Sequence, residues 1–343
     1  MTVASGSNFV PGSWLEKQWY RSSPWLLILL PLSVLFWALS ALRRMAYRSG
    51  WLREQRLPVP VIVVGNISVG GTGKTPLVLW LADWLRRHDF RPGIVSRGYG
   101  GRSAESRPVE PDGSAALSGD EPLLLARQSH CPVWIGRDRV AAGQGLLEAH
   151  PECNVLISDD GLQHYRLARD VEIAVVDGQR LFGNGFLLPA GPLREGVGRL
   201  RQVDAVVVNG DAEFAGGGHF NMSLKGVMLR NLCSGAMVPA LELADKKLHA
   251  VAGIGNPQRF FAHLQGLGLT FERHPFPDHH AYRAEDLAWP DADAIMMTEK
   301  DAVKCAAFAD ERYWVLPVRA ELDPSFGQRI LDTLRKRNGR KTA

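Results

Sequence analysis

The 343-residue chain has only four cysteines, Cys131, Cys153, Cys233 and Cys305. None forms a CxxC pair and none has zinc-ligand spacing to a histidine, so a structural zinc is not expected. A disulfide framework is equally unexpected in so long a chain, and the four read as reduced thiols of a cytosolic body. Charge of one sign is also scarce: 40 basic against 36 acidic residues leave a formal charge of +4, too little to imply a nucleic-acid partner. There is no internal repeat. Hydrophobic residues at 45% and charged residues at 22% lie near globular norms, which excludes disordered, collagen-like and mucin-like classes. Such a length suits about two domains and buries a large core without covalent staples.

What is present begins with an apolar run. Between Arg21 and Arg43 lie 21 uncharged residues, SSPWLLILLPLSVLFWALSAL. As a helix they cover about 32 Å, enough for a hydrocarbon core of roughly 30 Å. Trp25 and Trp37 suit the interface, while Pro31 is expected to break the run near its middle. Arg43 and Arg44 stand where a signal peptide would place small residues for cleavage. The run is apolar all round rather than amphipathic, which points to membrane association over a buried core helix. Arg43, Arg44, Arg48, Arg53 and Arg56 follow it, against Lys17 and Arg21 before it, so the chain after residue 43 is expected on the cytoplasmic side. Spanning the bilayer and lying in one leaflet both remain open.

From Pro58 onward, β-branched runs alternate with helical patterns. Strands are expected at 59–64, 93–96, 132–136, 154–158, 172–176 and 204–208, and a helix at 75–87 with Leu77, Leu81, Trp84 and Leu85 on one face. This alternation implies parallel βαβ units. Residues 97–119 read as a long polar surface loop, and AGGGH near 215 as a linker. The pattern resumes with strands at 248–254, 293–299 and 313–318 and helices at 257–264 and from about 324; the basic tail 335–341 reads as a solvated helix end. The expected organisation is a 1–57 segment with a membrane-associating helix, a 58–214 phosphate-loop domain and a smaller 215–343 α/β domain.

The strongest motif is SVGGTGKT, Ser68, Val69, Gly70, Gly71, Thr72, Gly73, Lys74 and Thr75, set between an expected strand and an expected helix. Backbone N–H groups of such a turn converge on phosphate oxygens, and the helix N-terminus adds partial positive charge. Lys74 would reach the β- and γ-phosphates and Thr75 would offer a hydroxyl to Mg²⁺. Ser68 stands where the usual pattern has glycine; Gly70, Gly71 and Gly73 keep the backbone unhindered. NVLISDDGLQH (154–164) ends an apolar strand in Asp159 and Asp160, the placement of a Walker-B carboxylate, and either could hold the metal.

A guanine-specific site would carry Asn-Lys-x-Asp. Neither Asn209-Gly210-Asp211 nor Thr298-Glu299-Lys300-Asp301 has the lysine in register, which points to ATP. A kinase also needs a group to deprotonate its acceptor. Asp120, opening an expected helix, reads either as a helix N-cap or as that carboxylate. In FPDHHAY (276–282), Asp278, His279 and His280 stand in a row, readable as a metal site or as a catalytic histidine.

GNISVGGTGKTP (65–76), SRGYGG (96–101), SGDEP (118–122), DDGLQH (159–164), PAGPLRE (189–195), PDHHAY (277–282) and TEKDAVK (298–304) occur in this order. Together they resemble the tetraacyldisaccharide 4'-kinase family of lipid A biosynthesis, over about residues 10–335. The resemblance implies two α/β/α domains with the active site in the cleft between them. It also implies an ATP- and Mg²⁺-dependent kinase at the cytoplasmic face of a bacterial inner membrane. The acceptor it implies is the 4'-hydroxyl of an acylated glucosamine disaccharide 1-phosphate lipid, and the product is lipid IVA. Asp120 matches the family's catalytic base, His279 its assisting histidine, and Asp159 and Asp160 its Walker-B pair. Arg139, Gln163, His164, Arg194 and Glu195 match positions lining the family's active site. A monomer contacting membrane lipids through its N-terminal helix is expected. The competing class is a membrane-bound ATPase switch that phosphorylates nothing.

Overall fold

Val61–Gly65 (β1) is a run of five buried residues, four of them aliphatic, and it becomes the middle of a parallel sheet. The structure is a computed structural model and describes residues 14–21, 24–98, 105–212 and 218–339. Around β1 the chain adds β2 (Pro92–Ser96), β3 (Arg107–Pro108), β4 (Val133–Ile135), β5 (Val155–Asp159), β6 (Val171–Asp177), β7 (Ala205–Asn209) and β8 (His219–Lys225). A smaller unit, built on Gly226–Pro317, then follows with β9 (Met228–Asn231), β10 (Met237–Pro239), β11 (Leu248–Ala252), β12 (Glu272–Pro275), β13 (Ala294–Thr298) and β14 (Tyr313–Leu316). The chain finally returns to the larger unit, Gln18–Lys225 with Val318–Ala343, as β15 (Arg319–Leu322).

The larger sheet has the order β15-β8-β7-β6-β1-β5-β2-β4-β3. Its seven inner strands are parallel, and β3 and β15 close the edges antiparallel. The smaller sheet runs β10-β9-β14-β13-β11-β12, four parallel strands with an antiparallel pair at one edge. Both units are therefore α/β, as the alternation implied. The helices are α1 (Trp14–Trp19), α2 (Leu26–Arg48), α3 (Lys74–Arg87), α4 (Ala115–Ser118), α5 (Asp120–Ser129), α6 (Arg139–Ala149), α7 (Pro257–Gly266), α8 (Glu299–Cys305) and α9 (Pro324–Gly339).

Helix α3 follows β1 directly and buries Leu77, Val78, Leu81, Ala82 and Leu85, a stripe at helical spacing. Each such side chain contributes about 1.5–3 kcal/mol. Trp84, expected on that face, lies beside it: it stacks on Trp80 with centroids 5.2 Å apart and leans against Gly327 of α9. A Cβ at Gly327 would stand 2.2 Å from the Trp84 ring, so only glycine permits this approach.

Three expectations differ from the structure. Helix α2 runs unbroken through Pro31. The proline lies in its second turn, where its missing N–H removes one bond, to the Leu27 carbonyl. Residues 97–119 are not all loop: β3 pairs with β4, and α4 follows. Buried Val109, whose N–H donates to the Val133 carbonyl at 2.9 Å, holds that edge. The division at 214/215 also differs, because β8 belongs to the larger sheet and β15 with α9 rejoins it. Buried Phe326, Ile330, Leu331 and Leu334 give α9 the apolar face that sends it there. Residues 99–101 of SRGYGG, 215–217 of the expected linker and the end of the basic tail lie outside the described residues.

Candidate active site

Helix α3 begins at Lys74 with Gly73 as its N-cap, and no side chain caps its first N–H groups. Those donors are what a phosphate would take. Gly70 and Gly73 both have φ +95°, which a β-carbon disfavours. The loop is held from outside by its carbonyls. Asn66 Nδ2 donates to Gly70 O at 3.4 Å, Arg180 to Gly71 O, and Asn209 Nδ2 to Thr72 O at 3.0 Å. With three successive carbonyls turned to side-chain donors, their amide groups are left to form the anion cradle. Arg180 is itself fixed by buried Asp177, its Nε 3.0 Å from Oδ2.

A second strap comes from PAGPLRE. Val69 N–H donates to Pro192 O at 2.9 Å and Arg194 N–H to Ile67 O at 2.7 Å, while Ser68 bridges Leu193. This pairing delivers Arg194 to Asp160, with Nη1 3.1 Å from Oδ2. Lys74 Nζ lies 3.4 Å from Oδ1 of the same carboxylate. Gln163 joins the group, its Oε1 3.5 Å from Arg194 Nη1 and its Nε2 donating to Asn66 O at 3.0 Å.

The two aspartates are environmentally opposite. Asp159 ends β5, is buried, and accepts a hydrogen bond from Ser96 Oγ at 3.0 Å on Oδ2, while its Oδ1 is buried with no hydrogen-bond partner. Burial, then the Glu121 charge, push its pKa up to about 7, against the pull of Lys74. Asp160 has left the strand with φ +49°. Burial alone would raise its pKa, but Lys74 and Arg194 outweigh it and hold the carboxyl well below the usual range. Arg139, the first residue of α6, is buried; its Nη1 donates to Gly136 O at 2.8 Å, and its Nη2 reaches Asp159 O at 3.4 Å. Burial lowers its pKa to about 10.

His164 Nε2 accepts the Arg139 backbone N–H at 3.4 Å, and burial followed by the Arg139 charge lowers its pKa to about 4. Glu195 is turned into a buried network, accepting from the Tyr165 hydroxyl and lying 3.2 Å from Arg199 Nε. Asp120 is buried in the first turn of α5; the N-cap position belongs to Gly119, so the capping reading is corrected. The next residue, Glu121, is close enough to act on Asp159 electrostatically. Thus Lys74, Asp160, Arg194 and Gln163 are brought into direct contact, with Asp159, Arg139 and His164 in the adjoining layer.

In the smaller unit, His279 has φ +60° and lies beside Lys300, Nε2 to Nζ 3.5 Å; Lys300 also pairs with Asp278 Oδ1 at 3.0 Å. His280 instead binds Asp286 Oδ2 at 3.0 Å, so the histidine row splits into two environments rather than forming one ligand set. Asp301 of TEKDAVK is fully buried and organises the turn, accepting from Gly253 N–H at 3.0 Å and Thr298 Oγ1 at 2.6 Å.

Reading the motifs alone does not single out Asn66, Asp177 or Arg180, and it weighs Asn209 and Lys300 only in candidate guanine-recognition stretches. The available signal was position: Asp177 and Asn209 end β6 and β7, at the same end of the sheet as the phosphate loop.

A glycine-rich loop opening a helix, with paired carboxylates ending the neighbouring parallel strand, defines a phosphate-loop nucleotide-binding protein of the α/β class. Comparison narrows this. A sequence profile of the tetraacyldisaccharide-1-P 4'-kinase family matches residues 25–335. A tetraacyldisaccharide 4'-kinase of Methylobacillus flagellatus is 54% identical over 322 residues, 94% of this chain and 96% of the relative. One from Dechloromonas aromatica is 54% identical over 332 residues, 94% and 98% of the two chains. A crystal structure of LpxK from Aquifex aeolicus, described as an "apo" form in complex with ATP, has a TM-score of 0.77 and 34% identity, covering 90% of this chain and 99% of that one. The chain belongs to the tetraacyldisaccharide-1-P 4'-kinase family.

Proposed function

We infer that this chain transfers the γ-phosphate of ATP to the 4'-hydroxyl of a tetraacyldisaccharide 1-phosphate, forming lipid IVA. The observation that carries the reading is the Lys74–Asp160–Arg194 group at the mouth of the phosphate loop. Two cations meet one carboxylate where the terminal phosphate would sit. A nucleotide phosphate can draw both toward itself without any backbone rearrangement.

The amides of Gly70–Thr75 bind the β- and γ-phosphates, and Lys74 follows charge onto the transferring group. The oxygen donors fit Mg²⁺: Asp159 Oδ1 is a buried acceptor without a hydrogen-bond partner, and Thr75, in the first turn of α3, offers a hydroxyl in the motif order such sites use. An ion held there would neutralise phosphate charge. Asp120, buried in the first turn of α5, accepts the proton of the sugar hydroxyl. His279, from the smaller unit, assists that proton transfer. Arg194 stabilises charge on the phosphoryl oxygens, and Arg139 fixes the end of β5 that presents the aspartates.

The lipid is met at a bilayer surface. Helix α2 is long and apolar enough to cross a membrane. It exposes Ile28, Val34, Leu35, Trp37 and Leu39, while Ser33 ties its inner face to Leu187 O at 2.8 Å and Ala190 N at 3.0 Å. The same 187–195 segment carries Arg194, so the membrane-facing helix is fastened to the strap that builds the site. The following arginines favour the cytoplasmic face of the inner membrane, and a monomer carries all the named residues.

The test is product identity. Incubated with γ-labelled ATP and the disaccharide lipid, the protein should place label on the glycolipid. Label appearing solely as free phosphate would identify an ATPase switch and remove the kinase reading.

A further inference from the structure

We propose that the smaller unit binds a divalent transition-metal ion at His249, Glu272 and His274. These residues belong to the smaller unit and lie in none of the motifs that carry the family resemblance. His249 is on β11, with Glu272 and His274 on the edge strand β12. The strands are parallel with His249 opposite Glu272, and Glu272 and His274, two residues apart, share a face. One potential ligand atom from each lies within 4.8 Å of the others.

His249 is the odd residue of its strand. Its neighbours in Leu-His-Ala-Val-Ala are apolar, and it is 1% exposed. A buried imidazole in such a strand is costly unless both nitrogens are used. Nδ1 faces His274 Nε2 at 2.9 Å, while Nε2 is buried with no hydrogen-bond partner. Asp291 Oδ1 stands 4.0 Å from that Nε2, and the other Asp291 oxygen is held by exposed Lys247. A metal-binding histidine commonly gives its second ring N–H to such a carboxylate, and here the 4.0 Å gap leaves that bond unmade. Trp289 stacks on both rings, with centroids 5.0 Å from His249 and 3.9 Å from His274, and the two imidazole planes are within 2° of parallel.

Two imidazoles and one carboxylate suit zinc, cobalt or nickel rather than magnesium, and leave a coordination position for water. A bound ion would separate the facing nitrogens slightly and satisfy both lone pairs. It would also clamp β12, which among the described residues pairs with β11 alone, at the strand from which the His279 segment emerges.

The test uses the untagged full chain, stripped of metal and titrated with Co²⁺, followed by visible absorption and by competition with Zn²⁺. One equivalent should give a cobalt ligand-field band that zinc displaces, and zinc should raise the melting temperature. His274→Gln should abolish the band. Glu272→Gln, at an exposed position that leaves folding intact, should weaken binding at least about tenfold. A missing band in the wild-type chain would overturn the site. So would unchanged affinity in Glu272→Gln, or loss of the band in a His279→Ala, His280→Ala double variant.

Discussion

Asp159 and Asp160 are adjacent in sequence, yet one is a buried carboxyl with an unpartnered oxygen and the other is clasped by Lys74 and Arg194. The difference arises because Asp160 turns out of the strand into the left-handed region, so its side chain meets the loop rather than the core. Lys74→Ala should lower lipid-kinase turnover at least roughly 100-fold, since it removes charge stabilisation specific to transfer; Asp120→Ala should do the same by removing the proton acceptor. Near-wild-type rates in a lipid-substrate assay would end those assignments. His164 makes a stability prediction. Its pKa falls from 6.5 to about 4 on folding, through burial and the Arg139 charge, so the unfolded chain takes up its proton first. The stability from keeping it neutral is present above about pH 6.5 and is lost as pH falls toward 4, on the order of 3 kcal/mol in total. Urea unfolding of His164→Asn should have a flatter pH dependence across that window; an unchanged slope would assign the effect elsewhere. The resemblance points to His164 and Glu195, but Arg139 lies 25 positions from His164 and Tyr165 lies 30 positions from Glu195. No spacing rule records such contacts.

At the scale of elements, α2 carries two roles on two faces. Leu26 and Ser33 are buried against the larger unit, while Ile28, Val34 and Trp37 are more than half exposed. Replacing Ile28, Val34 and Trp37 together with Gln should abolish sedimentation with anionic vesicles and leave the melting temperature nearly unchanged, because these side chains lose no protein contact. A variant that still binds vesicles would place the membrane contact elsewhere. The apolar length of α2 was legible in its sequence; which face is anchored was not, since Ser33 meets backbone atoms more than 150 residues away. Most inner strands were legible for the same reason as α2, a continuous apolar run, which in the strands follows from burial on both faces. The edge strands β3, β10, β12 and β15, and β9 next to an edge, were not, because such a short strand is specified by its partner more than by its own residues.

At the scale of the molecule, the chain leaves the larger unit after β8 and returns at β15, so residues 226–317 are inserted within it rather than appended as a tail. The return is held by Phe326, fully buried between Trp80 of α3, centroids 5.5 Å apart, and Phe220 of β8 at 5.2 Å. Phe326→Ala should destabilise the larger unit by about 3–5 kcal/mol in denaturant unfolding, a core-cavity cost for a residue beyond the expected boundary. A loss below 1 kcal/mol would mean that α9 is not part of that cooperative core.

Local chemistry was decided by the sequence itself. The glycines, Lys74 and Thr75 of the phosphate loop, the alternation that makes parallel sheets, and the apolar length of α2 depend on neighbouring residues and on backbone sterics, which spacing records. Tertiary structure alone decided which aspartate is paired and which is open, which donors hold the loop carbonyls, and where the final strand and helix return. Those outcomes depend on burial and on charges brought together from distant positions. A carboxylate's environment belongs to the folded surroundings and not to the residues beside it in the chain.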